Sequence, residues 1–134
     1  MANTRSVRTG PKPTKTKLAY LAGFIDGEGC IRANCGYVTL SVTNTYYPQL
    51  LELKAVFGGN TYSHMPRKGR RRKSFRWSIT GTAARLAIKR LYPYLVEKKP
   101  QAYIALSLHE FPKNTPMRAA MERTLTGLKR AKYH

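Results

Sequence analysis

The chain has 134 residues, enough for one domain that buries roughly 70% of its unfolded surface and folds without disulfide or metal staples. Lys and Arg number 25 against 6 Asp and Glu, a formal net charge of +19. Self-repulsion of that size suits a protein with a polyanionic partner, so nucleic acid is the expected ligand class. No segment nears the roughly 20 apolar residues of a membrane span and no apolar signal-peptide core opens the chain. This excludes a membrane-embedded or secreted protein and reads as a soluble, intracellular one, in a phage, a bacterial cytoplasm or an organelle.

Residues 1–16 carry Arg5, Arg8, Lys12 and Lys15 with Pro11 and Pro13 and no acid, and read as a disordered basic arm ahead of a single domain at 17–134. The arm faintly resembles an organellar transit peptide, although its prolines oppose the amphipathic helix such peptides form. Leu18, Leu21, Ala22 and Ile25 then recur at helical spacing, with the small residues Ala19 and Gly23 four apart on an adjoining stripe. This helix runs straight into Asp26-Gly27-Glu28-Gly29. The helix dipole disfavours carboxylates at a C-terminus by a few tenths of a kcal/mol or more, so two acids there are either solvated or present for chemistry. Gly27 and Gly29 are expected to supply a left-handed helix stop.

Cys30 to Asn34 and Tyr37 to Thr43 alternate on either side of Cys35-Gly36, a hairpin signal. Val38, Leu40 and Val42 form an apolar side, while Tyr37, Thr39, Ser41 and Thr43, with Arg32 and Asn34, form a polar one. Asn44 or Thr45 is placed to cap a helix carrying Leu50, Leu51, Leu53 and Phe57, which stops at Gly58-Gly59 and covers the apolar side. A second hairpin runs from Asn60 to Met65 and returns as Ser74 to Ile79, where Phe75, Trp77 and Ile79 alternate with Arg76 and Ser78. Between its strands lies a basic run of Arg67, Lys68, Arg70, Arg71, Arg72 and Lys73, expected to be a phosphate-contacting finger.

Thr80 or Thr82 caps a helix with Ala83, Leu86, Ala87 and Leu91 at helical spacing before Pro93. Two more helices follow, from about 100 to 111 and from about 115 to 132, the last amphipathic around Met117, Ala120, Met121, Leu125 and Leu128. The expected class is α+β in the order αββαββα, with an antiparallel four-stranded sheet and extra C-terminal helices. The polar face of that sheet suits the major groove of duplex DNA. Its candidate contacts are Arg32, Asn34, Tyr37, Thr39, Ser41, Thr61, Ser63, Arg76 and Ser78. The two cysteines, Cys30 and Cys35, form no C-x-x-C pair and read as reduced thiols, not as a zinc site.

The run Leu21-Ala22-Gly23-Phe24-Ile25-Asp26-Gly27-Glu28-Gly29 closely resembles the nine-residue signature of the LAGLIDADG homing endonucleases. Phe24 stands at its fourth position, Gly27 at its seventh and Glu28 at its eighth. The signature occurs once, which in that family implies a short chain that dimerises through its signature helices, here through Ala19, Ala22, Gly23 and Asp26. The resemblance further implies that Glu28 is the metal ligand, assisted by the Gly27 carbonyl, and that Asp26 shapes the helix end. Glu in place of the more frequent Asp lengthens the arm by one methylene.

Two other segments are similar to the single-signature chloroplast-intron enzymes. Ser41-Val42-Thr43-Asn44 matches a strand end whose amide positions the water network, assigning that role to Asn44. Pro93 to Ala102 resembles the segment that holds a catalytic-pocket lysine, here Lys98. Read from sequence alone, Asn44 also fits a helix N-cap and Lys98 a solvated surface lysine. An arginine near the active site of those relatives falls on Pro48, and the likeness covers about residues 16 to 112.

The implied activity is magnesium- or manganese-dependent, site-specific cleavage of double-stranded DNA by a homodimer on a pseudo-palindromic site, tied to intron homing. The alternative is a non-cleaving nucleic-acid binder, either a maturase acting on intron RNA or a transcriptional regulator.

Overall fold

Thr14 opens the first helix: its hydroxyl accepts the Lys17 N–H at 3.1 Å, and α1 runs over Lys15–Glu28. The helix thus takes in two residues assigned to the arm. The structure, a computed structural model, describes residues 12–34, 36–64 and 73–131. The arm up to Pro11, Cys35 and the loop residues Arg67, Lys68, Arg70, Arg71 and Arg72 lie outside the described residues.

Beyond α1 the order is β1 Gly29–Asn34, β2 Tyr37–Asn44, α2 Tyr47–Phe57, β3 Asn60–His64, β4 Ser74–Thr80 and α3 Gly81–Leu91. Then come a short helical turn at Tyr92–Tyr94, α4 Lys99–Ser107, another turn at Leu108–Glu110, and α5 Pro116–Ala131. The strands form one four-stranded antiparallel sheet in the order β1-β2-β4-β3. The expected αββαββα order with C-terminal helices is the order observed.

One face of the sheet is buried. Ile31, Val38, Leu40, Val42, Trp77 and Ile79 meet Leu21, Ala22 and Ile25 of α1, Leu50 and Leu53 of α2, and Ala84, Ala87, Ile88 and Leu91 of α3 in a single core. Trp77 is its largest member, fully buried, with its indole N–H donating to the Gly58 carbonyl at 2.8 Å. That bond satisfies the polar end of a side chain too large to bury otherwise.

Local expectations fail in three places. The left-handed stop at Gly27 or Gly29 is absent: Gly29 has φ −87 and passes directly into β1, its N–H bonded to the Ile25 carbonyl. What requires glycine there is close approach, since a Cβ would lie 2.8 Å from Ile25 O. Neither expected side-chain cap forms. Tyr46 takes the cap position of α2, and the Asn44 amide oxygen accepts the Tyr46 N–H at 2.9 Å. Thr80 caps α3 in position only, because its hydroxyl donates across the sheet to the Val38 carbonyl at 3.1 Å.

The last helix also differs from its pattern. Leu125 is buried, but Met117 is more than half exposed, while Arg118 is only 8% exposed. Its guanidinium donates to the Gly36 and Phe111 carbonyls, both at 2.7 Å, and its Nε lies 3.4 Å from a Glu122 carboxylate oxygen. Arg118 thereby clamps the β1–β2 turn to the C-terminal layer.

Candidate nucleic-acid interface and cleavage site

The foot of α1 presents its three residues differently. Gly27 and Glu28 are exposed, immediately before β1, whereas Asp26 is half-buried and engaged. One Asp26 carboxylate oxygen accepts the Val96 N–H at 2.8 Å and the other accepts the Lys98 N–H at 2.9 Å. Lys98 Nζ donates to the Asp26 carbonyl at 2.8 Å. Lys98 is 3% exposed, so it is not a solvated surface lysine. The structure therefore brings Lys98 against the residue that precedes Gly27 and Glu28.

Asn44 closes β2 opposite Phe75, on the helix-covered side of the sheet, and its amide is used locally on Tyr46. Along α1, Ala19 and Gly23 are exposed, and nothing in the chain lies within 4 Å of a Cβ built on Gly23. Ala22, expected on the same seam, is fully buried in the chain's own core and has no surface to offer a second chain. The reason is angular: one step from Gly23 turns about 100° around the helix, which carries Ala22 onto the Leu21 and Ile25 side.

The other face of the sheet is polar and arranged in rows. Register places Arg32 beside Thr39 and Thr80, Cys30 beside Ser41, Ser78 and Asn60, and Thr43 beside Arg76 and Tyr62. Arg32, Tyr37, Thr43, Asn60 and Tyr62 are exposed, and Lys113 Nζ stands 4.1 Å from the Tyr37 ring centre. Lys73, at the end of the basic loop, is exposed too. The side chain of Asn34 lies outside what is described, although its backbone pairs with Tyr37.

Two candidate contacts lie on the opposite face from the one expected, and a third is on the polar face but covered. Thr61 and Ser63 sit opposite Trp77 and Phe75, on the side of the sheet that α2 covers, and the Thr61 hydroxyl lies 3.2 Å from the Tyr47 hydroxyl. The residues of β3 on the polar face are Asn60 and Tyr62. Ser41 is on the polar face but 4% exposed, with an Arg76 guanidinium nitrogen 3.4 Å from its hydroxyl. Asn60, Tyr62 and Cys30 share this face with Thr43, which alternation had already placed there, and all four stand outside the candidate contacts. Cys30 and Thr43 follow from the strand alternation itself, whereas β3, with no aliphatic residue, carries no signal of which side faces in.

No protein-family model and no curated protein sequence matches the chain. Solved structures do. A crystal structure of the homing endonuclease I-CvuI in complex with the I-CreI target, in the presence of 2 mM Mg and with the DNA not cleaved, superposes with a TM-score of 0.69 at 24% identity. The match covers 85% of this chain and 82% of that one. A second I-CvuI structure, in complex with its target in the presence of 2 mM Ca, gives 0.68 at 25% identity over 84% of this chain and 82% of that one. This chain has the fold of the single-motif LAGLIDADG homing endonucleases.

Within that fold, the donor chemistry at the foot of α1 suits a hard divalent ion. Glu28 offers a carboxylate and Gly27 a carbonyl, both on exposed residues, and oxygen donors of this kind fit Mg2+ or Mn2+. Among the described residues no three His, Cys, Asp or Glu side chains converge to hold a metal ion. Also among the described residues, no helix is long and apolar enough to cross a membrane.

Proposed function

We propose that the chain is a homodimeric, magnesium-dependent homing endonuclease that cuts both strands of a long pseudo-palindromic DNA site. The observation that carries the reading is the exposed Glu28 at the junction of α1 with a polar, cation-rich sheet face, in a chain of net charge +19 with the homing-endonuclease fold. A sheet face carrying Arg32 and Arg76, with Lys73 just before β4, tracks a duplex by phosphate contacts, while its hydroxyl and amide side chains read base edges. Pairing two copies along Ala19 and Gly23 brings two Glu28 side chains together near the dyad, where like charges need cations between them.

Glu28 and the Gly27 carbonyl would hold a divalent ion, which would supply charge neutralisation at the phosphate and a more acidic water. The chain's own residues orient the rest. Lys98 sets its amine beside the Asp26 carbonyl, and Asn44 offers an amide at the end of β2. Arg32 and Arg76 neutralise the flanking backbone.

The test is incubation with a randomised palindromic duplex library and Mg2+, followed by sequencing of cleaved ends. Discrete double-strand cuts are expected, lost in Glu28→Gln while binding to the recovered site persists. Undiminished cleavage by Glu28→Gln refutes the ligand assignment. A non-cleaving nucleic-acid binder is the second reading, because the fold and the net charge of +19 fit DNA binding without cleavage. Specific binding or intron-RNA splicing by the wild type, with DNA left intact, decides for it.

A further inference from the structure

We propose that Asp26 is a positioning residue for cleavage, holding the segment Val96–Lys98 so that Lys98 is fixed beside Gly27 and Glu28. The inference rests on the endonuclease reading for its catalytic consequence, but its structural half stands without it. Asp26 sits in the last turn of α1, where the helix dipole disfavours a carboxylate, so its presence needs a compensating partner. That partner is distant in sequence: the Val96 and Lys98 N–H groups, 70 and 72 residues away, each bond a separate carboxylate oxygen. Bonds of this kind to a charged acceptor are among the stronger ones in proteins.

The staple closes in the other direction as well. Lys98 Nζ reaches the Asp26 main-chain carbonyl, one of the acceptors a helix end leaves without an intrahelical donor. Residues 26 and 98 are thus joined by side chain to main chain twice, with the roles exchanged. The segment Val96–Lys98 is also held at its end, where Lys98 takes the cap position of α4 and its carbonyl accepts the Ala102 N–H at 2.8 Å. The segment lies between the turn at Tyr92–Tyr94 and the start of α4 at Lys99, flanked by the Leu95 N–H bond to Tyr92 O at 3.3 Å and the Lys99 N–H bond to Val96 O at 3.4 Å.

The requirement is for a carboxylate. Two N–H donors converge on two different oxygens, so an amide of the same shape must aim its NH2 at one of them. Asp26→Asn keeps one bond and opposes the other, while Asp26→Ala removes both. Graded loss across the two variants separates the staple from a general effect on folding.

The experiment measures two quantities on wild type, Asp26→Asn and Asp26→Ala. Limited reductive methylation read by peptide mass spectrometry reports access to the Lys98 amine and needs no cleavage activity. Lys98 labelling is expected to rise about tenfold or more in Asp26→Ala and less in Asp26→Asn, with exposed Lys89 unchanged as the internal reference. Single-turnover cleavage is expected to slow about 10- to 100-fold in Asp26→Ala, with DNA affinity held within about twofold. Unchanged Lys98 labelling in the folded variants overturns the staple. Labelling that rises with no change in cleavage rate, or affinity and rate falling together, overturns the positioning role. A wild type that cuts no DNA refutes the endonuclease reading and with it the catalytic half, leaving the labelling result to decide the staple.

Discussion

Replacing Gly29 by Ala perturbs the helix-to-strand junction by one methyl group. Its backbone, at φ −87 and ψ 172, is open to any residue, so the effect is steric and not conformational. The added Cβ lies 2.8 Å from the Ile25 carbonyl oxygen, 2.9 Å from Ile25 Cγ2 and 3.2 Å from Ile25 Cα. Ile25 is fully buried in the core and cannot yield, so the last turn of α1 must open by a few tenths of an ångström.

Overpacking of this kind destabilises by about 1–3 kcal/mol, offset by about 0.4–1 kcal/mol from the stiffer unfolded chain, leaving a net loss of up to about 2.6 kcal/mol. For a chain of this size each kcal/mol lowers Tm by about 3–5 °C. Gly127 is the control. It is exposed within α5 with nothing inside 4 Å of its Cβ, so Gly127→Ala should stabilise by about 0.5–1 kcal/mol. Urea unfolding of both variants at equal concentration reads the contrast. Equal stabilities, or a gain from Gly29→Ala, would refute the close-approach account of the junction. Because the turn that opens carries Glu28, cleavage should also slow in Gly29→Ala at temperatures where the variant is folded.

Gly23→Leu places a large side chain where the chain itself has open space, so circular dichroism should be unchanged while sedimentation shifts toward the 15.2 kDa single chain. A variant that stays dimeric removes Gly23 from the seam. Tyr62→Ala should weaken specific DNA binding by about 1 kcal/mol or more, and Ser63→Ala should leave it nearly unchanged, because only Tyr62 lies on the polar face. The reverse order in a filter-binding assay would contradict the β3 register. Arg118→Met deletes two 2.7 Å charged hydrogen bonds and should lower stability by about 2–3 kcal/mol, with faster amide exchange at Val38. Exchange at wild-type rates would mean that the turn is held by something else.

How much of this was legible from the sequence differed by element. The hairpin β1–β2 was readable because Val38, Leu40 and Val42 alternate strictly with polar residues, and a slip of one position would expose all three. The position of Glu28 at the exposed foot of α1 was readable because the signature is nine consecutive residues, and a local motif needs no tertiary partner to be seen. Ala19 and Gly23 are exposed as their spacing suggests, but Ala22 is claimed by the core, which only packing reveals. The caps were misjudged because Asn44 and Thr80 both find other partners, a local amide for one and a cross-strand carbonyl for the other.

By itself, then, the sequence determined the element order, the polyanion-directed charge and the acidic foot of α1, since each is written in neighbouring residues or in composition. Tertiary structure decided the rest. Which side of β3 faces the core was set by pairing Thr61 with Trp77, because Asn-Thr-Tyr-Ser-His has no aliphatic residue to choose a side. Arg118 became a clamp only because the β1–β2 turn arrives beside α5. Asp26 and Lys98 lie 72 residues apart, and only the folded chain brings a carboxylate to the backbone N–H groups that justify it at a helix C-terminus.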